Sequence, residues 1–372
     1  MAVPSTLTDA YGALLTTTLR AVEPVLRDNV TKSNKTLAWL EMKGRMKAQD
    51  GGERVRVPLM YGLNTTADVY SGYGLLDTTP QDGITSAFYT WAQLSSSITI
   101  SRLEERQNSG KSAALNLLEV KTTQTMNSLK QLVNNSLVAG RITTGASAAL
   151  GQFDARVGRM DSGAKSLLPL SALIDGNPTR SRTDIGNINP NTYTFWGNFA
   201  QDFAAVTTFA GYKFNLTHLY NNASRGVMGA PDLLLGSQVA WEQYWNALNV
   251  NERYLITNQR TVDILGGSSA LAFRDAAFVW DEVTPDIGTN GSTVDSLGLS
   301  GGDIQKDTVF MINSESFEWV YDSETNFITT PMVRPENQDA RTGQILFMGI
   351  IGVNNRRKNG VAYNIQHTAF TS

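Results

Sequence analysis

The chain has 372 residues, of which 41% are apolar and 17% charged, with a net charge of -3 and a pI near 5.6. The charged share lies below the roughly 25% usual in soluble domains, and Gly, Ser, Thr and Asn fill the difference. The absence of cysteine excludes disulfides, iron–sulfur clusters and thiol catalysis, and the acidic balance argues against a strongly basic nucleic-acid-reading surface.

The length allows two domains, or one elaborate domain with subdomains. The two histidines, His218 and His367, are far apart and lack HExxH spacing, so no metal site and no cofactor is expected. The opening "MAVPSTLTDAYGALLTTTLRAV" has neither a basic start nor a continuous apolar centre. No run approaches the ~18 apolar residues that span a membrane. The expectation is a protein made and folded in a cytoplasm, with no membrane partner. Sequons such as Asn29-Val30-Thr31 and Asn64-Thr65-Thr66 then read as chance in an Asn- and Thr-rich chain.

In chain order, residues 6–30 show helical spacing through Leu7, Leu14, Leu15, Leu19, Val22, Val25 and Leu26, with Pro24 as a break. "TLAWLEMKGRMKAQDGG" reads as a short helix or turn. A long hairpin follows: Arg54-Val55-Arg56-Val57 and Phe88-Tyr89-Thr90-Trp91 have strand character. Between them lies a polar, glycine-rich tip carrying Tyr61, Tyr70 and Tyr73 but few residues that could build a core. "SSSITIS" alternates as a strand. Residues 109–140 give the clearest helix, with Leu115, Leu118, Thr122, Met126, Leu129, Val133 and Leu137 along one face, Ser109 as N-cap and Gly140 as stop. At ~1.5 Å per residue it is roughly 43 Å long.

Residues 140–200 are loop-rich. "WGNFAQDFAAVTTFA" and "SQVAWEQYWNAL" read as helices, "APDLLLGS" as a short buried strand, and "ALAFRDAAFVWDE" as a strand pair. Residues 284–303 form a Gly/Ser loop. "TVFMINSESFEWVYD" and "GQILFMGIIGVNNRRKNGVAYNI" are strand-rich, with "NNRRKNG" as a hairpin turn.

Motifs that suggest catalysis fail on context. "SGKS" at 109–112 lacks the earlier glycine of a phosphate-binding loop, where Glu105 stands. "GYG" at 72–74 has Asp77 at the third glycine position of a dinucleotide loop. "GLSGG" matches a nucleophile elbow, with Ser300 followed by several aspartates and His367, but a glycine-rich loop precedes it and a strand follows. "SGAK" at 162–165 has no partner motif. No catalytic residue is assigned, and the chain is not expected to be an enzyme.

The order of elements resembles the major capsid proteins of tailed bacteriophages with the Hong Kong 97-like fold. That resemblance is carried by "GGERVRVPLMYGLN…YSGYGLLDTTPQD", "SITISRLEERQNSGK", "GAPDLLLGS", "FITTPMVRPENQDA" and "GVNNRRKNG". It implies an α+β fold with an N-terminal arm at 1–52, an extended E-loop hairpin at 53–96, the first part of the P domain at 97–175 with a spine helix at about 110–139, an A domain at 176–314, and P-domain return strands at 315–372. It implies self-assembly through pentamers and hexamers into an icosahedral shell around double-stranded DNA. The other partners implied are a portal and a separate scaffolding or decoration protein. The expected location is the virion capsid, assembled in the host cytoplasm.

On this reading Arg54, Arg56, Tyr61, Tyr70, Tyr73 and Trp91 of the hairpin contact a neighbouring subunit, and Lys32, Lys35, Lys43, Arg45 and Lys47 of the arm make weak DNA contacts. Some relatives crosslink an E-loop lysine to a neighbour. This chain has no lysine between Lys47 and Lys111, so that bond cannot form from this loop. Rival readings are an encapsulin-like nanocompartment shell, another structural virion protein such as a tail-tube or decoration protein, and a serine hydrolase using Ser300 and His367.

Overall fold

The computed structural model describes residues 35–107, 117–138, 167–179, 181, 185–226, 228–248, 271–281, 308–336 and 338–365. The expected N-terminal helix, the cap at Ser109 and the loop at 284–303 lie outside them. In chain order the elements are α1 (Lys35–Met42), β1 (Met46–Gln49), β2 (Arg54–Met60), β3 (Ile84–Thr90), β4 (Ala92–Ser101), α2 (Arg102–Gln107) and α3 (Leu117–Val138). Then come α4 (Leu170–Leu173), β5 (Phe199–Asp202), α5 (Phe209–Ser224), β6 (Leu233–Gly236), α6 (Gln238–Ala247), β7 (Leu271–Phe273) and β8 (Ala276–Trp280). The chain closes with β9 (Val309–Ile312), β10 (Phe317–Asp322), β11 (Ile328–Thr329), β12 (Ala340–Val353) and β13 (Gly360–Tyr363). Two compact units result: one of 1–31, 95–129 and 327–346, the other of 32–94, 130–326 and 347–372.

The larger unit holds a six-stranded mixed sheet in the order β5-β13-β9-β6-β8-β7. β6 (LLLG) and β9 (VFMI) are buried at every residue, as continuous apolar runs demand. Helices α5 and α6 supply Tyr212, Leu216, Leu219 and Tyr244 to a core shared with Phe203, Leu234, Phe278 and Met311. Both helices start on side-chain caps: Thr208 accepts from the Gly211 N–H and Ser237 from the Ala240 N–H. The Tyr212 hydroxyl donates to the Ala240 carbonyl at 2.9 Å and ties one helix to the other.

Two expectations change here. The stretch 196–210 is not a helix: β5 occupies Phe199–Asp202 and pairs in parallel with β13, and the helix begins only after Thr208. "NNRRKNG" is not a hairpin turn, because β12 pairs with β10 while β13 joins the six-stranded sheet. The cause lies in two buried cations of the 3-10 turn Arg356–Lys358. Arg356 is 1% exposed and donates to the carbonyls of Leu173 (2.8 Å), Trp196 (3.0 Å) and Ala172 (3.3 Å), and to Asn198 Oδ1 (3.2 Å). Lys358 Nζ donates to the carbonyls of Arg225, Gly226 and Gly229 at 2.9–3.2 Å, and burial holds its pKa below the usual lysine value. Residues that read as a polar turn therefore organise the interior.

Also in the larger unit, β1 runs parallel to β10, from Met46↔Trp319 to Gln49↔Asp322. The end of the expected arm is thus a sheet strand. β10 pairs antiparallel with the end of β12, from Phe317↔Val353 to Tyr321↔Gly349.

In the smaller unit, α2 opens on a reciprocal capping box. The Glu104 N–H donates to Ser101 Oγ, and the Ser101 N–H to Glu104 Oε2, both at 3.2 Å. Lys121 Nζ lies 2.8 Å from Glu104 Oε2, and this hydrogen bond holds the carboxyl below its usual pKa. β11 pairs with the first half of β12 through Ile328↔Leu346 and Thr329↔Ile345. Helix α3 has 22 described residues, roughly 33 Å at ~1.5 Å each; residues 117–129 belong to this unit and 130–138 to the larger one. Its buried apolar residues are Leu129 in the first part and Val133, Leu137 and Val138 in the second, while Leu118 is exposed.

Arg356→Met keeps the volume but strands three buried carbonyls, each costing about 1–3 kcal/mol unsatisfied. The expected loss is about 3 kcal/mol or more in urea unfolding. Arg357→Met, at an exposed neighbour, is expected to shift stability by no more than about 0.5 kcal/mol.

Candidate assembly interface

The hairpin belongs to the larger unit and is built from β2 and β3, paired in register from Arg54↔Thr90 to Met60↔Ile84. Strict alternation puts Val55, Val57 and Leu59 inside and Arg54, Arg56, Pro58 and Met60 outside. A two-stranded ribbon is marginal by itself, so its base needs other partners. The Tyr89 hydroxyl is buried, where it donates to the Val353 carbonyl at 2.8 Å and accepts from the Val353 N–H at 3.1 Å. Burial raises the phenol pKa and keeps it neutral, as a group that both donates and accepts must be. The Phe88 N–H donates to the Gly186 carbonyl at 3.2 Å. Gly186 has φ +64°, and a Cβ there would stand 2.7 Å from Ala87 Cβ, so only glycine fits.

Beyond Met60 and Ile84 this support ends. Tyr61 stacks on Phe195 at 5.6 Å and its hydroxyl donates to the Asp82 carbonyl. Further out the hydrogen bonds are short-range or run within the tip: Gly74 N–H to the Ser71 carbonyl, Thr66 N–H to Asn64 Oδ1, Thr65 Oγ1 to Gln81 Oε1. Thr79 donates to Asp77 Oδ1 through its N–H and hydroxyl, which lowers the Asp77 pKa. The apolar side chains of the tip cover nothing. Leu63 is 84% exposed, Val69 95% and Leu75 102%, with Tyr70, Tyr73 and Leu76 also exposed. Burying six such side chains at about 1.5–3 kcal/mol each would return on the order of 10 kcal/mol that the single chain leaves unused. Exposed apolar groups this concentrated mark a surface that another molecule covers.

The expected contact residues separate into two groups. Arg54, Arg56, Tyr70 and Tyr73 are exposed, and Tyr61 is half-covered by Phe195. Trp91 is 4% exposed and donates through Nε1 to the Gly52 carbonyl at 2.8 Å, so it closes the ribbon's base within its own chain. Leu63, Val69, Leu75 and Leu76 are exposed beside the tyrosines and are not among the residues the sequence reading named. The available signal was the loss of period-two alternation between residues 61 and 83.

The arm cations are engaged inside the chain. Lys35 is buried, donates to the Trp280 carbonyl at 2.5 Å and lies over the Trp280 ring at 4.3 Å. Lys43 pairs with Asp232 at 3.1 Å, Arg45 with Glu315 at 3.7 Å and Lys47 with Glu318 at 2.7 Å. Lys32, Ser300 and His367 lie outside the described residues. Among the described residues no cluster of three or more His, Asp or Glu could hold a metal ion, and no helix is long and apolar enough to cross a membrane.

No protein-family model and no curated protein sequence matches this chain. Solved structures do. The capsid of cyanophage A-1(L) aligns with a TM-score of 0.60 at 13% identity, covering 92% of this chain and 96% of that one. The fold is the Hong Kong 97-like capsid fold. The capsid of Myoviridae phage XM1 aligns with a TM-score of 0.55 at 10% identity over 92% and 96% of the two chains. The SrpI encapsulin of Synechococcus elongatus PCC 7942 also gives 0.55 at 10% identity, over 100% and 99%.

Replacing Tyr73 and Leu75 with serine removes side chains that touch nothing in the protomer. The expected change in protomer unfolding free energy is within about 0.5 kcal/mol in denaturant titration. A larger loss would show that the tip is buried within the chain.

Proposed function

We propose that this chain is the major capsid protein of a tailed bacteriophage, assembling through pentamers and hexamers into an icosahedral shell around double-stranded DNA. The observation that carries the reading is the uncovered apolar tip of the E-loop on a chain of this fold. A hairpin that cannot bury itself becomes buried when a neighbouring copy lies under it. Many polar but uncharged residues suit large, partly wet contacts between subunits. A portal and a separate scaffolding or decoration protein complete the set of partners. Contact with packaged DNA is weak on this reading, because four of the five arm cations already face carboxylates, a carbonyl or a ring of their own chain.

The encapsulin-like reading is kept as an alternative, because that neighbour aligns over the whole chain. A cargo enzyme encoded beside the gene supports it, whereas portal and terminase genes support the phage reading. Deleting residues 64–82 tests the role of the tip common to both. The deleted chain is expected to stay soluble and folded by circular dichroism but to form no closed shells in negative-stain microscopy, where the full chain forms them. Normal shells from the deleted chain would refute the role given to the hairpin.

The way the shell is held follows from composition. Without cysteine, and without lysine between Lys47 and Lys111, neither a disulfide nor an E-loop isopeptide bond can lock it. Non-covalent interfaces above roughly 2,000 Å² suffice in obligate assemblies. Boiled particles are expected to run as one band near 40.6 kDa on a denaturing gel. A ladder of boiling-resistant multimers would show that a lysine elsewhere supplies a crosslink.

A further inference from the structure

β2 and β3 form a two-stranded sheet with no third strand on either side. The Tyr61 N–H donates to the Gly83 carbonyl at 2.9 Å, in step with the register from Arg54↔Thr90 to Met60↔Ile84. Bonded pairs alternate along an antiparallel ladder, so Val55, Val57 and Leu59 turn their N–H groups toward β3, and Arg54, Arg56 and Met60 turn theirs to the outer edge. The Phe88 N–H obeys the same phase, since it leaves β3 for the Gly186 carbonyl. The outer edge of β3 is thus partly occupied within the chain. The outer edge of β2 is bare: among the described residues no backbone carbonyl takes the N–H of Arg54, Arg56 or Met60.

A strand with unused donors and acceptors along one edge is a template for another strand. Apolar side chains beside this edge strengthen the template: Met60 and Ile84 are each 74% exposed and Phe88 39%. A second copy offers the same edge, which can meet its own across a two-fold axis. With that axis at Val57, Arg56 faces Pro58 and Arg54 faces Met60. Pro58 lies within this edge, opposite Ser86 at a non-bonded position of the ladder, where its missing N–H costs the hairpin no bond. Toward a second strand it removes both central donors of the symmetric pairing, and its ring stands where the partner's carbonyl would approach. The Arg56 side chains of the two copies would also lie diagonally across the join with like charge. We infer that the outer edge of β2 is a latent site of strand addition by a second copy, and that Pro58 holds it closed. Contacts between copies are thereby left to side-chain surfaces and kept from backbone pairing. This follows from the register of the protomer and does not depend on the shell reading.

The test moves the proline in the full-length chain. Pro58→Thr restores the donor in a residue that favours strands. Pro58→Thr with Arg56→Pro shifts the gap to the neighbouring outward donor, which also makes no bond to β3. Ser86→Thr is the control, because it changes the facing residue and leaves the edge of β2 as it is. Folding is followed by circular dichroism and strand-mediated association by thioflavin T fluorescence at matched concentration. Pro58→Thr is expected to raise the fluorescence about threefold or more, and the double variant and Ser86→Thr to stay at the level of the original chain. In the associated fraction of Pro58→Thr, the amides of Arg56 and Met60 are expected to exchange with deuterium at least about tenfold more slowly than in the original chain. Should Pro58→Thr lose its native circular dichroism, Pro58→Ala, which also restores the donor, takes its place in every comparison. No rise in fluorescence would overturn the inference. So would a rise that Ser86→Thr shares, a rise that the second proline does not reverse, or a rise with unchanged exchange at Arg56 and Met60.

Discussion

A two-stranded ribbon buries one face and has nothing to cover the other, and much of this structure depends on that constraint. Val55, Val57 and Leu59 satisfy it at the base, where Tyr89 binds both backbone groups of Val353. Gly186 admits the approach of Ala87 that this seating requires. The ribbon is thus fixed where it leaves the larger unit and bare where it ends. A fixed base holds the tip in a defined direction, so less ordering entropy is lost when another molecule covers it. Tyr61 on Phe195 extends the support by one step, since its ring is held by its own chain before any partner arrives.

The larger unit shows how such a base is kept rigid. Arg356 and Lys358 each bind several backbone carbonyls, drawing α4, the turn after α5 and the segment before β5 around one 3-10 turn. Desolvating two cations is costly, and here the cost is offset by bonds to carbonyls that would otherwise lack donors. Neutral acceptors suit this role, because a carbonyl keeps its lone pairs at every pH. The arm cations follow another rule. Lys43, Arg45 and Lys47 each meet a carboxylate of the larger unit, and such partly exposed pairs add little stability.

Where the sequence was legible, local periodicity and burial agreed. The strand character of Arg54–Val57, the apolar runs at β6 and β9, and the helix at α6 all agree with the structure. It was less legible where a distant segment decided the outcome. Residues 196–210 have apolar residues at helical intervals, yet pairing with β13, more than 150 positions away, makes the first part a strand. Trp91 shares the character of the exposed tyrosines, and only its bond to Gly52 separates it from them. Lys35 reads as a surface cation until Trp280, 245 residues later, takes its ammonium group. The pairing of Arg102 and Arg334 with Asp339 in the smaller unit is equally non-local, since these residues come together only in the folded unit. The run from 57 to 101 without a cation can be counted on the sequence itself.

The division of labour between base and tip bears on how a shell of such subunits could form without errors. Interactions within the protomer are buried and directional, as at Tyr89, Arg356 and Lys358, and they define a rigid part. The surface left uncovered at the tip is of another kind, made of bare leucines, a valine and tyrosines. A contact of modest strength dissociates readily while it is single, so a misplaced subunit leaves. Once several contacts hold one subunit, each raises the effective concentration of the others, and the whole becomes lasting without any covalent bond. On the proposed reading, a chain with neither cysteine nor an E-loop lysine would rely on that multiplicity, and a tip that is exposed on a fixed base would give it the means.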